Sequence, residues 1–185
     1  MPQNGGVGTD GTSIDRADIV ADLERARAEF HRLLAAADCY DVWTKPTQGT
    51  RWTNEQLLFH MVFGYMVVQR LLMLVRMFGR LPGRASATFA WMLNAGTTPF
   101  HIVNYYGSCA AATVYNRRRM GPKLDRVVLS LERKVMRESD DSLRRGMHFP
   151  PGWDPYFTGY MTLKDVYSYP GRHFDHHTRQ LTFGA

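Results

Sequence analysis

The run from Leu57 to Phe78 limits the folds open to this chain more than any other stretch. It is apolar almost all round the helix that it predicts, and about 20 apolar residues suffice to span a bilayer. His60, Gln69, Arg70 and Arg76 interrupt it, however, and charged groups are expensive in hydrocarbon. A helix buried at the centre of a bundle satisfies the same pattern, and no membrane is expected. The helix start is marked by Trp52-Thr53-Asn54-Glu55-Gln56. Thr53 can cap, Gln56 can reach back to complete a capping box, and Trp52 can staple onto Leu57.

Three further long helices are expected around it. The first runs from about Ser13 or Asp15, both plausible N-caps, to Ala37, with Leu23, Phe30, Leu33 and Leu34 on its apolar stripe. The third opens at Gly121-Pro122 and carries Leu124, Val127, Val128, Leu131 and Val135 as far as Arg145, ending at Gly146. A proline-rich loop, Phe149-Pro-Pro-Gly-Trp153-Asp-Pro155, follows and cannot be helix interior. The fourth helix begins near Thr162, which pairs with Asp165 as a capping box, and continues to Leu181. Pro170 lies inside it and predicts a kink or a split.

Residues 79–121 are less regular, with Gly79, Pro82, Gly83, Gly96, Pro99 and Gly107. One or two short helices are expected there, crossing an end of the bundle and roofing a pocket that His101 could face. The expected fold is all-α: a four-helix bundle with an irregular, short-helical insertion between helices two and three. Residues 1–13 read as a disordered tail and residues 14–185 as one domain, an ordinary length for a single core.

Composition excludes some classes of function. A net charge of +6 permits nucleic-acid binding, but the basic residues are scattered and no nucleic-acid module accompanies them. A solvated basic surface and no nucleic-acid partner are therefore expected. Cys39 and Cys109 stand without a CxxC partner, and the opening residues lack an apolar signal core. A reduced, cytoplasmic chain is expected. The apolar girth of the second helix exceeds what three neighbours need, which suggests a homodimer.

The chemistry is concentrated near the end, in Tyr169-Pro-Gly-Arg-His173-Phe-Asp-His176-His177-Thr-Arg-Gln180-Leu181. Residues four apart on a helix differ by about 40° around its axis, so His173 and His177 point the same way. Neutral imidazoles on adjacent turns can grip a transition-metal ion. His60, two turns inside the second helix, is the best third donor. A His173/His176 pair is also possible, and surface histidines on a fraying helix are the bland alternative, because HxxxH lacks the glutamate of HExxH. Tyr169 shares the face, and Gln180 could hydrogen-bond a ligand or water behind His177.

Three imidazoles would leave coordination positions for water or substrate, the open arrangement of a catalytic site. The donors suit zinc, nickel or iron(II). No carboxylate is placed to complete a facial triad, which favours zinc or nickel. No protein base is placed either, leaving the metal to activate the nucleophile.

Two of these elements together resemble the DinB-like superfamily, in the form seen in actinobacteria. They are Trp52-Thr53-Asn54-Glu55-Gln56-Leu57-Leu58-Phe59-His60 and His173-Phe-Asp-His176-His177-Thr-Arg-Gln180-Leu181. The Trp153-Asp154-Pro155 and Tyr169-Pro170 stretches are similar as well. The resemblance implies a four-helix bundle with a metal held by His60, His173 and His177. It also implies a metal-dependent enzyme acting on a small-molecule substrate, in the manner of relatives that transfer or isomerise through bacillithiol, mycothiol or glutathione. A non-catalytic metal- or ligand-binding stress protein is the alternative. The inserted segment 82–117 and the proline before the histidines depart from the family pattern.

Overall fold

The computed structural model describes residues 16–183. The fold is all-α apart from one small sheet. Its elements are α1 (Arg16–Cys39), α2 (Asn54–Phe78), α3 (Gly83–Ala95), α4 (Thr97–Val114), α5 (Met120–Val135), α6 (Asp140–Arg144), β1 (Gly146–His148), β2 (Tyr160–Thr162) and α7 (Leu163–Thr178). The expected tail and both cap candidates of α1, Ser13 and Asp15, lie outside the described residues.

Four helices close the core. α2 packs on α5 and α7, and α1 packs on the same two from the other side. Phe30, Tyr65, Leu72, Leu124, Leu131, Tyr167 and Phe174 are all fully buried between them. Each such side chain contributes about 1.5–3 kcal/mol by leaving water. α2 passes a length and hydropathy test for a membrane span, yet 56% of its most apolar window is buried inside the protein.

Both predicted capping boxes are present. Thr53 N–H donates to Gln56 Oε1 at 3.0 Å and Gln56 N–H to Thr53 Oγ1 at 3.4 Å. Thr162 N–H donates to Asp165 Oδ2 at 2.8 Å and Asp165 N–H to Thr162 Oγ1 at 3.2 Å. The Trp52 ring stacks on His60 with centroids 4.4 Å apart.

Four expectations need correction. The insertion is two full helices rather than short irregular pieces. α4 alone spans 18 residues, and it lies along α2, with Tyr115 at its C-terminal end stacked on Phe59 at 5.6 Å. α4 thus covers part of the apolar girth of α2, while Met73 and Met77 remain exposed. The third helix stops at Val135, because Ser139 caps a new helix, α6, accepting from Ser142 N–H at 3.1 Å. The break lets Glu138 turn inward, where it pairs with Arg76.

Pro170 does not split α7, which runs unbroken to Thr178 and stops short of Leu181. The adjoining Gly171 leaves room for α1: a Cβ there would lie 2.0 Å from Asp22 Oδ2. Finally, β1 and β2 pair antiparallel, Gly146 opposite Thr162 and His148 opposite Tyr160. Strands of three residues carry too little alternation to be read from sequence. They pin both ends of the proline-rich loop and so place Trp153 and Asp154.

The segment after α7 is held in place as far as Thr182. Asn54, fully buried at the start of α2, donates to Thr182 O at 3.1 Å and accepts from Thr182 N–H at 3.1 Å. Gln48 N–H donates to Gln180 O at 2.8 Å. The first turns of α2 and the last turns of α7 are therefore fastened together.

Candidate metal centre

That fastening brings one histidine of α2 to two of α7. The ring centroids of His60 and His173 are 5.1 Å apart, those of His60 and His177 4.9 Å, and those of His173 and His177 4.5 Å. One nitrogen from each ring lies within 4.8 Å of the others, so the three could hold a metal ion. Two nitrogens bound to one ion at about 2.1 Å stand at most about 4.2 Å apart, so the spacing is near what a shared ion requires. All three residues are buried, with exposures of 6%, 4% and 9%.

Local contacts fix which nitrogens are available. Gln180 Oε1 lies 2.7 Å from His177 Nδ1. A carbonyl oxygen only accepts, so the proton sits on Nδ1 and the Nε2 lone pair is free. His60 Nδ1 lies 3.1 Å from Ser108 Oγ of α4, which again leaves Nε2. His173 Nδ1 is buried and has no hydrogen-bond partner. It faces Gly64 of α2, where a Cβ would stand 2.9 Å away. Only a residue without a side chain lets the two helices come this close.

Burial also sets the charge. It is the main cause of a His60 pKa pushed down to about 3, with His177 adding to the effect. Burial, then His60, His177 and His176, hold His173 well below its usual range. His177 is lowered too, again chiefly by burial. All three are therefore neutral at pH 7, the form that ligates a metal. Three converging neutral imidazoles, two with the far nitrogen hydrogen-bonded, fit a transition-metal ion in donor chemistry.

The other sequence candidates divide. Tyr169 lies beside the cluster, its ring 5.6 Å from that of His173. His176 stands outside the three-histidine set: half-buried, it packs edge-on against Tyr156 at 5.7 Å. His101 is exposed and does not face the pocket. On α4 the inward residues are Phe100, Asn104 and Ser108, spaced by four, and His101 is turned by about 100° from that row.

A carboxylate lies beside the site, outside the three-histidine set. Asp154 Oδ2 lies 3.8 Å from His173 Nε2 and accepts from the Tyr169 hydroxyl at 2.8 Å. Its other oxygen accepts from Tyr156 N–H at 2.8 Å. Burial first, and then Asp154, raise the Tyr169 pKa well above normal, which keeps the phenol a donor. Sequence reading missed Asp154, Ser108 and Gly64. The row Phe100-Asn104-Ser108 in a helix without charge was the one available signal.

Beyond His60 and His173 opens a cavity of about 120 Å³. Fold and site together define a helical-bundle protein with a buried three-histidine cluster and an adjoining pocket. No family model, no curated protein and no solved structure matches this chain.

Proposed function

We propose that His60, His173 and His177 bind one divalent transition-metal ion, zinc or nickel before iron, and that the protein is a metal-dependent enzyme acting on small molecules. The observation that carries this reading is the convergence of three buried, neutral imidazoles, each with one nitrogen within 4.8 Å of the others. Burying three such polar rings costs stability unless something satisfies them, and His173 has an unpartnered nitrogen there. An ion so held would supply Lewis acidity and would lower the pKa of a thiol or water beside it.

The chain's own residues supply the rest. Ser108 and Gln180 hold the rings of His60 and His177 in orientation. Trp52, stacked on His60, and the fastened C-terminus limit water on one side. Asp154, held by Tyr169, offers a hydrogen-bond acceptor beside the cluster. The resemblance to the DinB-like superfamily supports a low-molecular-weight thiol as nucleophile, in the manner of a thiol S-transferase, with mycothiol as the form actinobacterial relatives suggest.

The test is spectroscopic. Cobalt(II)-loaded protein titrated with mycothiol, glutathione or N-acetylcysteine should develop a sulfur-to-cobalt charge-transfer band in the near ultraviolet. Loaded protein that binds none of these thiols would leave activated water as the nucleophile and end the thiol-transfer reading.

A further inference from the structure

The cavity beyond the histidines constrains what can be bound there. At about 120 Å³ it is somewhat smaller than an apolar cavity of roughly 150 Å³ that takes up benzene. The two are of the same order, which limits an occupant to about one aromatic ring or a short branched alkyl group. Phe63, Val67 and Leu71 of α2 form one wall, and the face-to-face pair of Phe100 and Trp153, 3.9 Å apart, belongs to the opposite one. Such walls favour an apolar body and exclude a hydrated one.

Against this background the polar lining is sparse and asymmetric. Asp154 and Asn104 both reach the cavity. Asp154 is fixed by two donors, the Tyr169 hydroxyl and the Tyr156 backbone, which leaves lone pairs on a carboxylate that cannot turn away. Its side chain is 15% exposed, so its charge is only weakly screened by solvent. A fixed acceptor in an apolar pocket rewards a donor and repels an anion.

We propose that this cavity binds a small aromatic or branched-alkyl group bearing a hydrogen-bond-donating head, an amine or a hydroxyl, which Asp154 accepts beside the histidines. That this ligand is a substrate rests on the metal-dependent reading above; that it binds does not.

Three isosteric probes test the assignment: benzylamine, benzyl alcohol and benzoate, titrated by NMR into the full-length protein with and without prior chelator treatment. In chelator-treated protein both donor probes should bind about tenfold or more tighter than benzoate, since a charged hydrogen bond is worth more than 1.4 kcal/mol. In Asp154→Asn the preference should fall to roughly threefold or less, and Val67→Phe should weaken all three by about tenfold through loss of volume. Benzoate binding as tightly as the donors, or benzylamine binding unaffected by Val67→Phe, would overturn the proposal. The wild-type ordering stands even if a variant does not fold. Donor binding by a protein that takes up no metal would uphold the cavity and defeat the metal reading. Metal uptake without probe binding would do the reverse.

Discussion

Gly64 and His173 meet face to face across the α2–α7 interface. The imidazole Nδ1 occupies space that a methyl group on residue 64 would approach to 2.9 Å. The close packing of these two helices, and with it the convergence of His60 and His173, depends on that missing side chain.

Gly64→Ala should therefore harm the site more than the fold. Alanine gains about 1 kcal/mol of helix propensity, while overpacking a buried ring costs about 1–3 kcal/mol. The expected result is a net destabilisation of at most about 2 kcal/mol in urea denaturation, with about tenfold or more weaker metal binding. A stabilised variant with unchanged affinity would mean that His173 has room to move.

Ser108 and Gln180 act on the rings from behind. Removing such a partner typically lowers metal affinity about 10–100-fold. Ser108→Ala and Gln180→Ala should each do so in chelator competition, with a stability loss of about 1–3 kcal/mol for Ser108→Ala, which leaves the buried His60 Nδ1 without its partner. Affinity unchanged in both variants would show that packing alone orients His60 and His177.

Asn54 joins the two ends of the site. Asn54→Ala leaves the Thr182 amide and carbonyl without their partner, while the Val42 carbonyl keeps the Lys45 N–H at 3.1 Å. Each buried orphan costs about 1–3 kcal/mol. A loss of about 2–4 kcal/mol and faster proteolysis of the last residues are expected. Intact protease resistance would place the fastening elsewhere.

The histidines make the metal-free protein acid-sensitive. Their folded pKa values lie below the ordinary 6.5 of an unfolded chain, His60 near 3. Above pH 6.5 both states are neutral and nothing is lost. Below it the unfolded chain takes up protons that the folded one refuses, so stability falls as the pH drops from 6.5 towards 3. His60 alone should account for about 2–3 kcal/mol between pH 6.5 and pH 4.5. Urea midpoints across that range should fall, and His60→Leu should flatten the slope. A flat wild-type profile would contradict the burial of these rings.

Much of this arrangement was legible in the sequence because it is written in local periodicity. The apolar run after Thr53, the two capping boxes and the four-residue spacing of His173 and His177 each report on a single helix. What was not legible depends on contacts distant in sequence. Ser108 reaches His60 from a helix that carries no capping signal at either end. Asp154 reaches His173 only because two three-residue strands clamp its loop. His101 looked like a pocket residue by composition, and a rotation of one position on α4 turned it to solvent. Gly64 reads as a neutral interruption of an apolar helix until the ring across from it is known.

The central claim is that the three histidines are ligands of one ion, and metal content tests it most directly. Elemental mass spectrometry of the purified protein, with His60→Ala and His177→Ala alongside, should find about one equivalent of zinc, nickel or iron in the wild type and little in either variant. Wild-type protein that retains no metal after incubation with an excess of each ion would contradict the claim, leaving the cluster as three packed rings.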